Sequence, residues 1–147
     1  MTEEQGTSWF DMDGTIADLY GVDGWLDMLR AYDPTPYLKA KPLVNMSKLA
    51  KRLHKLQAMG RRIGIISWGS KVSTPQYDEA VRQAKEFWLS DHLPSVKWNE
   101  INIVPYGTPK INFIRSDKDT LYDDEARHRD IWIKGQAFTP EEIFTKA

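Results

Sequence analysis

Apolar residues in this chain fall into two kinds of run, short unbroken ones and longer ones at helical spacing, and the two kinds alternate. Met46, Leu49, Leu53 and Leu56 recur every three or four residues, while Lys48, Lys51, Arg52 and Lys55 fall largely elsewhere. That pattern predicts an amphipathic helix over residues 45–59 with Gly60 as its C-cap. The aliphatic run at residues 62–67 then reads as a buried parallel strand. Thr74-Pro75 supplies an N-cap followed by a proline at the first helical position, and Ala80, Val81, Ala84, Phe87 and Trp88 form one apolar face reaching about Ser90. Trp9-Phe10 closes a first strand, residues 101–105 form another, Thr120-Leu121-Tyr122 a short one, and Ile131-Trp132-Ile133 a final one. Between the first strand and residue 45 the pattern is less regular. Trp25, Leu26, Met28 and Leu29 suit a short helix within residues 22–33 that ends before Asp33-Pro34, and Pro34, Pro36 and Pro42 predict an irregular or extended course for Tyr37-Leu38. Residues 110–115 read as a turn or single helical turn, and Thr139-Pro140-Glu141-Glu142 as a capping box.

Strands alternating with helices predict an α/β fold: a Rossmann-like three-layer sandwich, its central parallel sheet joined by right-handed crossovers and covered by helices on both faces. Residues 15–44 would form a small flap or helical insert after the first strand, within a single domain over residues 1–147. With 41% hydrophobic and 28% charged residues, the composition is that of one globular domain with its own core. The net charge of −1 and pI of about 6.3 give no overall drive toward nucleic acid or anionic membrane. The basic side of the 45–59 helix, with Arg61 and Arg62, therefore reads as a solvated face, and nucleic-acid binding is disfavoured. No cysteine is present, so a bound metal would rely on oxygen or imidazole ligands, which favours a hard cation such as Mg²⁺. The acidic start at residues 1–6 is unlike a leader peptide, and no apolar run approaches a membrane span, which makes a cytoplasmic protein the expectation.

Candidate chemistry begins at Asp11-Met12-Asp13-Gly14-Thr15. Side chains two apart on an extended strand point the same way, so both carboxylates leave the strand end on one side. Paired acids do nothing for a core but suit a cation, and Gly14 lets the chain turn away behind them. Ser67, Lys110 and the pair Asp123-Asp124 also fall at or just beyond predicted strands. The carboxyl ends of a parallel sheet line one crevice, so these groups would converge there. Lys97 is a rival to Lys110 but precedes its strand. His54, His92 and His128 show no ligand spacing. Tyr20 and Trp25, just past the first motif, would stack on a nucleobase or cover the site, or else simply pack in the core.

Taken in order, Asp11-Met12-Asp13-Gly14-Thr15, Ile65-Ile66-Ser67, Lys110 and Leu121-Tyr122-Asp123-Asp124 resemble the four motifs of the haloacid dehalogenase-like superfamily of phosphohydrolases. The run from Asp11 through Asp18, with Tyr20-Gly21, looks most like its 5′-nucleotidase branch, the deoxyribonucleotidases in particular, although the space for a cap is reduced. The resemblance implies a Mg²⁺-dependent phosphomonoesterase. Asp11 would be the nucleophile that forms an aspartyl-phosphate, and Asp13 the acid that protonates the leaving oxygen and then activates water. Metal would be held by Asp11, the Asp13 backbone carbonyl and Asp123, with Asp124 in support, while Ser67 and Lys110 fix the phosphoryl group. The implied partner is a small phosphorylated substrate, a nucleoside monophosphate in the first instance and a sugar or macromolecular phosphate otherwise; a homo-oligomer is compatible with it. A phosphoryl-accepting signalling receiver also combines acids, a hydroxyl and a lysine on a parallel sheet. Its acidic pair comes first and its lysine last, an order this chain does not follow. A silent binding protein that keeps the site is the remaining alternative, disfavoured by intact Asp11 and Asp13.

Overall fold

The structure is a computed structural model that describes residues 5–146. Most of the acidic start on which the leader-peptide expectation rests, residues 1–4, lies outside the described residues. In chain order the elements are β1 (Thr7–Phe10), β2 (Ala17–Asp18), α1 (Trp25–Arg30), α2 (Thr35–Lys39), β3 (Lys41–Pro42) and α3 (Met46–Ala58). These are followed by β4 (Arg62–Trp68), α4 (Pro75–His92), β5 (Glu100–Val104), β6 (Thr120–Tyr122), α5 (Ala126–Ile131) and β7 (Gln136–Phe138). Three 3-10 turns cover Leu19–Gly21, Lys110–Phe113 and Pro140–Glu142.

Five strands make one parallel sheet in the order β5-β4-β1-β6-β7, with β1 at its centre. Phe10, Ile63, Ile65 and Tyr122 belong to a core shared with Leu49, Leu53 and Leu56 of α3 and Trp88 and Leu89 of α4. Trp9, Ile66 and Leu121, the alternate residues of the same strands, instead pack with Trp132, Ile111 and Phe113. One face is thus covered by two long helices and the other by short segments, which gives the Rossmann-like α/β sandwich that the alternating pattern predicts. Within β4, Gly64 is needed because Trp9 lies across it: a Cβ there would stand 2.3 Å from the indole ring.

From β1 the chain winds outward through β4 to β5, then returns to the other side of β1 for β6 and β7. The change of direction falls between β1 and β6, the place where an open α/β sheet leaves a crevice beyond its strand ends. Register sets Phe10 beside both Ile65 and Tyr122, so Asp11 and Asp123 emerge from adjacent strands at the same level.

Two expectations fail. Residues 131–133 are not a strand: α5 runs to Ile131, Trp132 is buried, and Ile133 is 80% exposed. The last strand is instead Gln136–Phe138, paired with β6. A polar-flanked Ala-Phe is too short to outcompete an Ile-Trp-Ile run in any pattern reading, yet tertiary pairing decides for it. Tyr37-Leu38 is likewise helical, not extended. Asp33 Oδ1 accepts from the Thr35 amide at 2.9 Å, and Pro36 stands in the first turn of α2, where its missing N–H costs nothing. The prolines here start a helix.

Residues 15–44 therefore hold two short helices above a stem of paired β2 and β3. Leu19, Leu29 and Tyr37 from this segment pack on Tyr77, Val81 and Ala84 of α4, and the Tyr77 hydroxyl donates to the Asp33 carbonyl at 2.9 Å. No helix among the described residues is long and apolar enough to cross a membrane.

Candidate functional site

Beyond Phe10 the backbone breaks off sharply. The Met12 carbonyl accepts from the amides of Thr15, Ile16 and Ala17, and Gly14 adopts φ +84°. Any side chain at Gly14 would meet Asp124, whose Oδ2 is 2.3 Å from the position of its Cβ, so the glycine serves both the turn and the close approach. The turn leaves Asp11 and Asp13 at the mouth of β1.

Lys110, carried by the 3-10 turn on the opposite face of the sheet from α3 and α4, is 1% exposed. Its Nζ donates to Asp11 Oδ1 at 2.8 Å and to Asp123 Oδ2 at 2.7 Å. Thr15 Oγ1 lies 2.9 Å from Asp11 Oδ2 and 3.2 Å from Asp124 Oδ1, and accepts from the Asp124 amide at 3.1 Å. The structure therefore brings Asp11, Lys110, Asp123 and Asp124 together, across more than a hundred residues of chain. Burial works to raise the Asp11 carboxyl, but the charge and hydrogen bond of Lys110, with hydrogen bonds from Asp124 and Thr15, hold it below the usual range. Burial and the Asp11 charge push Asp123 up to about 6 and Asp124 up to about 7. Burial opposes the Lys110 charge, yet its two carboxylates outweigh that and raise it.

Asp13 and Ser67 belong to a second arrangement. Both bond to Lys85, a residue of α4: its Nζ donates to Asp13 Oδ2 at 2.8 Å, Ser67 Oγ at 2.7 Å and the Trp68 carbonyl at 2.7 Å. Burial raises the Asp13 carboxyl more than Lys85 lowers it. The sequence reading gave Lys85 no role. Its signal was a lone cation four residues after Val81 and three before Trp88, on the apolar side of the helix, where an unpaired lysine is seldom found.

A cavity of about 630 Å³ opens on Asp11, Asp13 and Lys110. Tyr20, Trp25, Leu29 and Tyr37 from the 15–44 segment form one side of it, and Trp68, Tyr106, Arg127 and His128 also line it. Ser67 does not; its hydroxyl is engaged by Lys85. Tyr20 and Trp25 thus wall the cavity, with their rings 5.1 Å apart at a near-right angle.

Carboxylate oxygens of Asp11, Asp123 and Asp124 lie within 4.8 Å of one another. An all-oxygen set with two carboxyls raised by burial and by the neighbouring Asp11 charge fits a hard divalent cation, which would offset that repulsion. The Asp13 side chain is not in this group. Asp123, Glu125 and His128 form a second cluster of the same reach, so His128 stands beside the acids despite lacking ligand spacing in sequence. His128 Nε2 lies 2.8 Å from Glu125 Oε2.

A central parallel sheet whose carboxyl edge carries acids on both sides of the winding reversal is the Rossmann-like α/β architecture implied by the sequence resemblance. Among solved structures the chain is similar to D,D-heptose 1,7-bisphosphate phosphatase from Burkholderia thailandensis, with a TM-score of 0.53 and 15% identity over 85% of this chain and 70% of that one. It is also similar to a chain of the Pnkp1/Rnl/Hen1 complex, with a TM-score of 0.57 and 16% identity over 91% of this chain and 45% of that one. At these identities the likeness is one of fold. Neither a protein-family model nor a curated protein matches the chain.

Proposed function

We propose that this chain is a Mg²⁺-dependent phosphomonoester hydrolase of the haloacid dehalogenase-like type, working through an aspartyl-phosphate on Asp11. The observation that carries the proposal is Asp11 itself: a carboxylate at the mouth of the central strand, 2.8 Å from a buried lysine that holds its carboxyl below the usual range, and open to the cavity. A carboxylate so held is a nucleophile ready to attack phosphorus. As the Asp11–phosphorus bond forms, the bond to the leaving oxygen breaks and Asp13 gives that oxygen a proton. Water then attacks the phosphorus of the aspartyl-phosphate, Asp13 takes its proton, and Asp11 is released with inorganic phosphate. The raised Asp13 carboxyl suits a group that must hold a proton in the first half of this cycle.

Asp11, Asp123 and Asp124 would hold Mg²⁺, with the Asp13 backbone carbonyl as a further oxygen, and the ion when bound supplies positive charge against the phosphate oxygens. Lys110 adds a fixed cation at the same place. Aromatic walls at Tyr20, Trp25 and Trp68 support a small substrate with a flat ring, a nucleoside monophosphate above all. Phosphate release from a panel of nucleotide, sugar and aryl monophosphates, with Mg²⁺ and with EDTA, tests the reading. Turnover that needs the metal is expected; turnover untouched by EDTA, or none across the panel, contradicts it.

A further inference from the structure

Lys85 has every one of its ammonium protons accounted for. Asp13 Oδ2, Ser67 Oγ and the Trp68 carbonyl accept them at 2.7–2.8 Å, and the Tyr37 ring covers the ammonium with its centroid 5.0 Å away. The side chain is 1% exposed and is not among the cavity-lining residues. It therefore cannot touch a substrate lying against Asp11, and the reaction described above gives it no step. A buried lysine is held in place only by what it bonds, and here its charged partner is the carboxylate that lines the cavity.

We infer that Lys85 is the positioning residue for proton transfer by Asp13. It anchors one carboxylate oxygen from beneath, and Oδ1, for which no protein partner is seen among the described residues, is left as the oxygen that exchanges a proton with the leaving group. By donating to Ser67 Oγ it also fixes the rotamer of that hydroxyl, whose own hydrogen stays available for donation. Lys85 neither gains nor loses a proton in the cycle. Tyr37 belongs to the 15–44 insert, Lys85 to α4 and Asp13 to the turn after β1, so one cage ties the insert to the acid.

This inference rests on the phosphomonoesterase reading, and leaving-group dependence separates the two. An alkyl phosphate needs its leaving oxygen protonated, whereas 4-nitrophenyl phosphate departs as a stable phenolate and needs little help. The value of kcat/KM reports the first chemical half alone, where Asp13 acts as an acid. For Lys85→Met, which keeps most of the side-chain volume, kcat/KM for an alkyl phosphate is expected to fall about 100-fold and that for 4-nitrophenyl phosphate about tenfold or less, since a positioned acid contributes roughly 10²–10⁴-fold. Lys85→Gln, which keeps an N–H donor, should recover part of the alkyl activity. Equal losses on the two substrates, or no loss, would show a merely structural lysine and overturn the inference. Should Lys85→Met fail to fold by thermal melting, the same ratio measured on Lys85→Gln decides. A wild-type protein inert on both substrates overturns the underlying reading, and this one with it; an active wild type with an unchanged ratio in the variant overturns this one alone.

Discussion

Lys110 sits where two carboxylates, Asp11 and Asp123, would otherwise face each other in a buried space. Removing one partner of a buried ion pair typically costs about 3–5 kcal/mol, because the remaining charge has lost both water and counterion. Even with Lys110 in place, burial first and the neighbouring Asp11 charge second raise Asp123 to about 6 and Asp124 to about 7. The sign of the resulting pH dependence follows from the protons bound. Between the ordinary carboxyl value near 4 and these raised values, the folded protein binds more protons than the unfolded chain, so stability falls as pH rises through that window. Metal-free protein is expected to melt at progressively lower temperature from about pH 4.5 to about pH 7.5, and millimolar Mg²⁺ to recover most of the loss at the upper end. Thermal melts across that range in EDTA and in Mg²⁺ check it; a melting temperature that rises toward neutral pH in EDTA would contradict the crowded-acid account.

Strand β4 and helix α4 show how a single position can govern an element. Gly64 lets the Trp9 indole pack directly against β4, so Gly64→Ala should force that ring aside and cost about 1–3 kcal/mol, as overpacking does in a closed core. Urea denaturation compared with wild type measures it, and an unchanged midpoint would mean that Trp9 moves freely. The elements with sustained pattern were legible: Leu49, Leu53 and Leu56 fix α3, and the aliphatic run fixes β4, because burial rewards each of those residues separately. Where few residues speak, context decided. Ile131 and Ile133 remain exposed while Trp132 alone is buried, and α2 begins at Pro34 and Pro36 with Asp33, just before it, accepting from the Thr35 amide. The acids could be placed from sequence since each ends a strand, and parallel pairing in register sets strand ends side by side. Lys85 could not, because its partners lie 17 to 72 residues away and only the packing of α4 on β4 brings them within reach.

Across the entire fold, the winding reverses beside β1, and everything proposed chemically gathers at that reversal. The sheet supplies Asp11 and Asp123 from adjacent strands, one covering layer supplies Lys85, the other supplies Lys110, and the 15–44 insert closes one side of the cavity with aromatic rings. This division explains how two short helices and a 3-10 turn in the 15–44 segment, together with the strand ends, wall a cavity of about 630 Å³. We propose that the insert acts as a reduced cap, shielding the aspartyl-phosphate from bulk water. The most direct trial of the account is to catch phosphate on Asp11. Protein turning over a substrate with Mg²⁺ is quenched in acid and treated with borohydride, which reduces an acyl phosphate to the alcohol, and its peptides are sequenced by mass spectrometry. Homoserine at position 11, dependent on both substrate and metal, is the predicted result; continued phosphate release with position 11 unmodified, or the reduced residue found elsewhere, would contradict it.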